Sequence, residues 1–160
     1  MQQKVHFLFI DPKADEINYA QRNYIKSYVT AFENALHSEN YKDREKGYFS
    51  YVDLQSFVDY YIISELSRNL DGYRISTFLH KDKDSKGGKI TMGPFWDYNI
   101  CFGNANFFSA GQTQGWIIDG MGNGDAYAMP FWWQRFRLDP IFNSNLKKRW
   151  NYWKDNYINE

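Results

Sequence analysis

Two aspartates carry most of the chemistry that this sequence offers. Asp71 sits in Ser67-Arg68-Asn69-Leu70-Asp71-Gly72-Tyr73-Arg74, and Asp97 in Gly93-Pro94-Phe95-Trp96-Asp97-Tyr98-Asn99. Phosphoryl transfer depends mainly on positioning and charge neutralisation. One carboxylate that takes a proton from a hydroxyl and another that holds a divalent cation meet part of that need. A carboxyl pair roughly 5 to 9.5 Å apart across an open groove would instead suit glycoside hydrolysis. Both positions also have a structural reading. Asp-Gly is a common turn pair, and Asp97, after the apolar run 92–96, could be a partly buried carboxylate partnered by Arg74 or Arg68.

The elements around the pair follow from periodicity and caps. Asp53 is a good N-cap for a helix whose Phe57, Tyr60, Tyr61, Ile63, Ser64 and Leu66 make a broad apolar face, ending near Arg68 and just before Asp71. Between the aspartates, β-rich runs at 75–79 and 89–92 flank the polar turn 82–88 and predict a central hairpin. Upstream, Val5-His6-Phe7-Leu8-Phe9-Ile10 predicts an N-terminal strand. Helical spacing of Ile17, Ala20, Tyr24, Tyr28, Ala31, Phe32, Ala35 and Leu36 then predicts a helix over 15–37. Six glycines between 102 and 127 mark a loop. Pro130 opens a helix to about Leu138, and Asp139-Pro140 opens a last one carrying Phe142, Leu146, Trp150, Trp153 and Tyr157. The pattern is α+β, helix-dominated, in a single domain over 1–160.

Composition sets further bounds. Aromatic residues make up 20% of the chain, enough for a core of large rings or a surface that stacks ligands. A formal net charge of zero argues against a nucleic-acid face driven by bulk charge. No apolar run approaches the roughly 18 residues of a membrane span. Met1 leads into the predicted strand without a signal-peptide pattern, and a chain that opens on a strand reads as a fragment with sequence upstream.

The remaining candidates favour structural roles. Cys101 lacks a second cysteine and a near histidine, which predicts an inert buried thiol. His6, His37 and His80 have no metal-site spacing. Asp119-Gly120-Met121-Gly122-Asn123-Gly124-Asp125 alternates oxygen donors, but Met121 at the third position and Pro130 at the twelfth exclude an EF-hand. Asn69 and Asn99 could ligate a metal or form turns. Of the adjacent Trp132 and Trp133, about 100° apart on a helix, at least one must pack in the core.

The run Glu65-Leu66-Ser67-Arg68-Asn69-Leu70-Asp71-Gly72-Tyr73, the hairpin, then Pro94-Phe95-Trp96-Asp97-Tyr98-Asn99 and Phe102-Gly103-Asn104 resembles the CotH kinase family (spore coat protein H and relatives). Pro130-Phe131-Trp132-Trp133-Gln134-Arg135-Phe136 and Lys147-Lys148-Arg149-Trp150 are similar to the C-terminal part of that family. The resemblance implies the C-lobe of an atypical protein kinase-like fold and transfer of phosphate from ATP, with Mg²⁺, to Ser of secreted or spore coat proteins. It implies an extracellular, cell-surface or spore-coat setting. Asp71 takes the catalytic-loop role. Asp97 and Asn99 take the metal-holding role, and with Ser76 they face the nucleotide phosphates. Ser76 stands five residues after Asp71, where ordinary kinases carry a metal-binding Asn. No phosphate-covering glycine loop or strand-borne Lys precedes the first helix, so the chain reads as a C-lobe fragment whose N-terminal lobe lies upstream.

The rival reading is a non-catalytic cell-surface binding module, either a pseudokinase scaffold or a carbohydrate-binding domain. For sugar binding, Trp116 and Trp132 should lie flat on one open face with Tyr127, Asp119 and Asn123 nearby.

Overall fold

In a computed structural model, which describes residues 5–121 and 129–159, five α-helices accompany one short hairpin that packs on the second of them. Helix α1 spans Tyr19–His37 and α2 spans Leu54–Ser67. Strands β1 (Leu79–Lys81) and β2 (Ile90–Met92) follow, then α3 (Ile117–Gly120), α4 (Trp132–Arg137) and α5 (Pro140–Trp153). The class is helix-dominated α+β, and no helix among the described residues is long and apolar enough to cross a membrane.

Local caps fix most helix starts. Asn18 and Gln21 form a reciprocal capping box, so α1 begins at Tyr19 rather than at 15; residues 13–17 form a separate turn closed by Ile17 N–H on Lys13 O. Asp53 Oδ1 accepts from Gln55 N at 3.0 Å and Ser56 N at 3.3 Å to start α2. Buried Asp139 starts α5 by accepting from Ile141 N at 2.8 Å, and its other oxygen accepts from Tyr48 Oη at 2.8 Å. Helix α2 ends on Arg68, whose left-handed backbone (φ 58°) turns the chain toward Asp71.

Helix α2 is buried on most sides and organises an aromatic core. Trp133 is 1% exposed and lies 5.0 Å from the Tyr73 ring and 5.8 Å from both Phe57 and Phe136, centroid to centroid. Trp132 is 2% exposed, meets Phe32 edge-on at 4.9 Å and donates Nε1–H to Glu33. Both tryptophans are therefore core residues, and offset and edge-on contacts of this kind add to the area they bury.

The strands are shorter than the β-rich runs. Leu79 pairs with Met92 and Lys81 with Ile90 in an antiparallel ladder of three residues a side. Residues 75–78 leave the ladder because Ser76 takes a positive φ (32°) and Thr77 Oγ1 donates to Gly72 O, folding this stretch back over the end of α2. The hairpin is fastened to the start of α2 by Asp53 N–H on Ile90 O and Ile90 N–H on Tyr51 O, each at 2.8 Å. The expected N-terminal strand does not form. The described sheet has only two strands and neither pairs with residues 5–9. That segment docks instead through its rings: Phe7 stacks on Trp132 at 5.6 Å, and the Arg22 guanidinium lies over Phe9.

Candidate functional site

The turn after α2 sets Asp71. Its amide donates to Asn69 Oδ1 at 3.1 Å, and its carbonyl accepts from Arg74 N and Ile75 N. The carboxylate Oδ1 meets Arg74 Nη2 at 3.3 Å, with the two side chains only 16% and 6% exposed. Burial raises the Asp71 pKa; Arg74 opposes that rise and the charge of Asp97 adds to it. The two aspartates are thus near enough in space to repel one another.

Asp97 sits on an exposed turn with a left-handed backbone (φ 60°), a conformation that Asp and Asn tolerate better than most residues. Its Oδ2 accepts from Ser76 Oγ at 3.1 Å. The hairpin therefore brings Ser76 back to Asp97 across 21 residues. Asn99, two residues after Asp97, is exposed, and its backbone carbonyl accepts from Asn104 Nδ2 at 2.7 Å. Ahead of Asp97, Phe95 stacks on Tyr60 and Trp96 meets Phe78 edge-on, each with about half of its surface open. Arg68, Ser76, Asp97 and Phe102 all have positive φ in this neighbourhood. Backbone strain of this kind persists only where the surroundings over-determine it, and it concentrates at functional sites.

Cys101 lies under the pair. Burial raises its thiol pKa, Ser67 offsets part of that, and both aspartates push it further up. A neutral, buried thiol is the opposite of an activated nucleophile. Arg74, proposed from sequence as a partner of Asp97, binds Asp71. Arg68 turns its guanidinium to the 109–115 loop, donating to Ser109 O at 2.6 Å and Gly115 O at 2.7 Å.

Oxygen donors dominate the site: a carboxylate at Asp97, the Ser76 hydroxyl and the nearby Asn99. This set suits Mg²⁺, which commonly takes one or two protein carboxylates and fills its other positions with water and phosphate. Among the described residues no three His, Cys, Asp or Glu side chains cluster into a closed metal cage. A separate cleft of about 630 Å³ lies between the hairpin turn and the start of α2, lined by Arg44, Asp53, His80, Lys86 and Lys89 among others. It includes neither aspartate, and its size alone does not make it the site of chemistry.

The sugar-binding platform fails on geometry. Trp132 is buried in the core, while Trp116 is half-open and tilts against Tyr61. Asp119 is ion-paired with Arg137. Tyr127 and Asn123 lie outside the described residues, as does most of the 119–125 loop.

Sequence reasoning missed α3 and its anchor. The α3 amides of Ile117 and Ile118 donate to the Glu65 carboxylate at 2.6 and 3.2 Å, and Tyr73 Oη donates to it at 2.8 Å. The one local signal was the apolar Trp116-Ile117-Ile118 inside a glycine-rich stretch.

A family model described as CotH kinase protein matches residues 2–160. No curated protein and no solved structure matches the chain.

Proposed function

The chain belongs to the CotH kinase family, and from that premise we propose that it carries the carboxylate half of a site transferring phosphate from ATP to Ser of secreted or spore coat proteins. The observation that carries this reading is the Ser76 Oγ hydrogen bond to Asp97 Oδ2, which joins the position five residues after Asp71 to the second aspartate. Helix, Asp, hairpin, Asp is the order in which protein kinases arrange a catalytic-loop Asp and a metal-holding Asp.

In this reading Asp71 orients the acceptor hydroxyl and takes its proton as the Ser Oγ–phosphorus bond forms and the bond to the leaving ADP oxygen breaks. A carboxylate pKa raised by burial and by a like charge suits a proton acceptor better than an ordinary one. Asp97, Asn99 and Ser76 would hold Mg²⁺, which when bound neutralises charge on the phosphates. Phe95 and Trp96, just before Asp97 in the chain, keep half-open rings. The glycine loop and strand-borne Lys that cover phosphates in kinases would come from an N-terminal lobe outside residues 1–160. The chain would then correspond to the C-lobe of an atypical kinase-like fold working at the cell surface or spore coat.

The test is transfer of labelled phosphate from Mg²⁺-ATP to Ser-containing coat or secreted proteins by the full protein. Asp71→Asn and Asp97→Asn should each lower the rate by about 10² to 10⁴-fold. Unchanged transfer in both variants would overturn the assignment. A folded wild type that transfers nothing would favour the pseudokinase scaffold.

A further inference from the structure

The cleft between the hairpin turn and the start of α2 carries charge that the reading above does not use. Both of its carboxylates are already engaged. Asp53 Oδ1 takes the amides of Gln55 and Ser56. Asp82 takes the Lys83 amide at 2.7 Å and faces Lys86 at 3.5 Å, so that lysine is compensated too. Arg44 and Lys89 are not. Among the described residues neither lies within ion-pair distance of a carboxylate.

These two cations meet at one residue. Lys89 Nζ donates to Phe49 O at 2.6 Å across 40 residues of chain, and the Arg44 guanidinium lies over the Phe49 ring, 4.8 Å from its centroid. Phe49 is itself held in place: it is 7% exposed and stacks on Tyr48 at 4.1 Å. Like charges gathered around one residue repel, and ordering two long side chains costs rotamer entropy. A guanidinium laid on a ring keeps its N–H edge open, and that planar fork matches the oxygens of a phosphate. A phosphate monoester carries about −1.5 to −2 charge at neutral pH, which offsets two cations where a single carboxylate would not. The cleft, about 630 Å³, is larger than one phosphate and has room for the chain that bears it.

We propose that Arg44 and Lys89 form a docking site for a phosphate monoester carried on a partner polypeptide. The site stands at the opposite end of α2 from the aspartates. Helix α2 has 14 residues, which at about 1.5 Å each puts about 20 Å between its two ends. An extended chain covers that span with about six residues. A protein phosphorylated once could therefore be held in the cleft while another of its serines meets Asp71. Naming the group as phosphoserine, the product of transfer, rests on the phosphoryl-transfer reading; the anion site itself does not.

Fluorescence anisotropy on the full protein tests the site. The probes are a short labelled peptide with one phosphoserine among Gly and Ala, the same peptide with unmodified Ser, and inorganic phosphate as competitor. The phosphoserine peptide should bind at least about tenfold more tightly than the Ser peptide, and the difference should shrink as salt rises. Arg44→Gln and Lys89→Gln should each weaken it by about tenfold, and together they should abolish the preference. Both side chains are exposed, so these variants should fold, and Lys83→Gln on the same turn but outside the cleft lining should change nothing. Equal binding of the two peptides, or a preference that survives the double variant, would overturn the site. An equal loss in Lys83→Gln would reduce it to bulk charge and overturn it as well. Displacement by inorganic phosphate at the concentration of the peptide would give the cleft to free phosphate and overturn the polypeptide occupant.

Asp97→Asn separates this site from the proposed chemistry. It should leave phosphopeptide binding within about twofold of wild type. Binding lost in Asp97→Asn and kept in Arg44→Gln would place the phosphate at the aspartates and defeat the cleft. Unchanged transfer in Asp71→Asn and Asp97→Asn defeats the phosphoryl-transfer reading, while the anisotropy of Arg44→Gln and Lys89→Gln still decides the cleft.

Discussion

Four acidic side chains divide into two pairs with opposite treatment. Glu65 and Asp139 are buried, and each has acquired donors: Tyr73 Oη and the Ile117 and Ile118 amides for Glu65, Tyr48 Oη and the Ile141 amide for Asp139. Asp71 and Asp97 are more open, lie near one another, and accept bonds of 3.3 Å from Arg74 and 3.1 Å from Ser76. The same functional group does two jobs. Where the fold completes its hydrogen bonds, a carboxylate ties distant segments together. Where the fold stops short and sets a second carboxylate beside it, it leaves capacity for a cation or a hydroxyl.

The sharpest way to break this comparison is to exchange charge for amide at the open pair. Asp97→Asn keeps a residue that tolerates the left-handed backbone at 97. It should cut phosphoryl transfer by about 10² to 10⁴-fold, with Tm moving by no more than about 2 °C in a calorimetric scan. A large fall in Tm with the loss of transfer would move Asp97 into the structural class.

Glu65→Ala should do the reverse. It leaves the Ile117 and Ile118 amides without an acceptor, each worth about 1–3 kcal/mol, and Tyr73 Oη with only the longer contact to Tyr61 O, so stability should fall by about 2 kcal/mol or more in urea titration. Transfer per folded molecule should stay within about threefold of wild type. A site-like kinetic defect in fully folded Glu65→Ala would show that α3 and the 102–116 loop reach the chemistry.

Much of the helical frame was legible because it is written locally. Asp53 and Asp139 are N-caps that satisfy amides two or three residues on, and the break after His37 precedes a polar stretch. One error is local, the start of α1, which the Asn18–Gln21 capping box sets at Tyr19; the larger ones are non-local. Residues 5–10 have strand composition but no partner edge. Residues 75–78 have it too, yet the bend at Ser76 and the Thr77 bond to Gly72 O draw them toward the site. Helix α3 depends on a carboxylate 52 residues earlier in the chain, which no window of sequence contains. At the site, the order of Asp71 and Asp97 was readable, while Arg74 as the partner of Asp71 depends on how α2 ends.

A smaller effect distinguishes the pairs by pH. Burial raises the Glu65 pKa above its ordinary 4.5, partly offset by its three donors and Arg68. The folded state therefore holds the Glu65 proton more tightly than the unfolded state. This contribution to stability is fully present below pH 4.5 and is lost as pH rises through the folded pKa. Asp71 adds a slope of the same sign from its ordinary 3.8 upward. Urea midpoints measured across this range should fall less steeply with pH in Glu65→Gln than in wild type. Equal slopes would mean that the three donors cancel burial.

The smallest effect belongs to an acid with a complete donor set that lies at the surface. Asp59 accepts from Arg149 Nε at 2.7 Å and Nη2 at 2.9 Å, and Gln55 Nε2 adds a third bond at 2.8 Å. The pair links α2 to α5, with the Arg149 and Asp59 side chains 31% and 22% exposed. Solvent screening limits such pairs, even bidentate ones, to about 1 kcal/mol. Arg149→Ala should lower Tm by about 2–4 °C, including the packing lost over Trp153, and leave transfer unchanged. If donor completeness is what separates structural from functional carboxylates here, burial should set only the size of the structural penalty. Asp59 should then behave as a weak Glu65. A kinetic defect in Arg149→Ala with little change in Tm would break that rule, because the acid with three donors would be acting on the site.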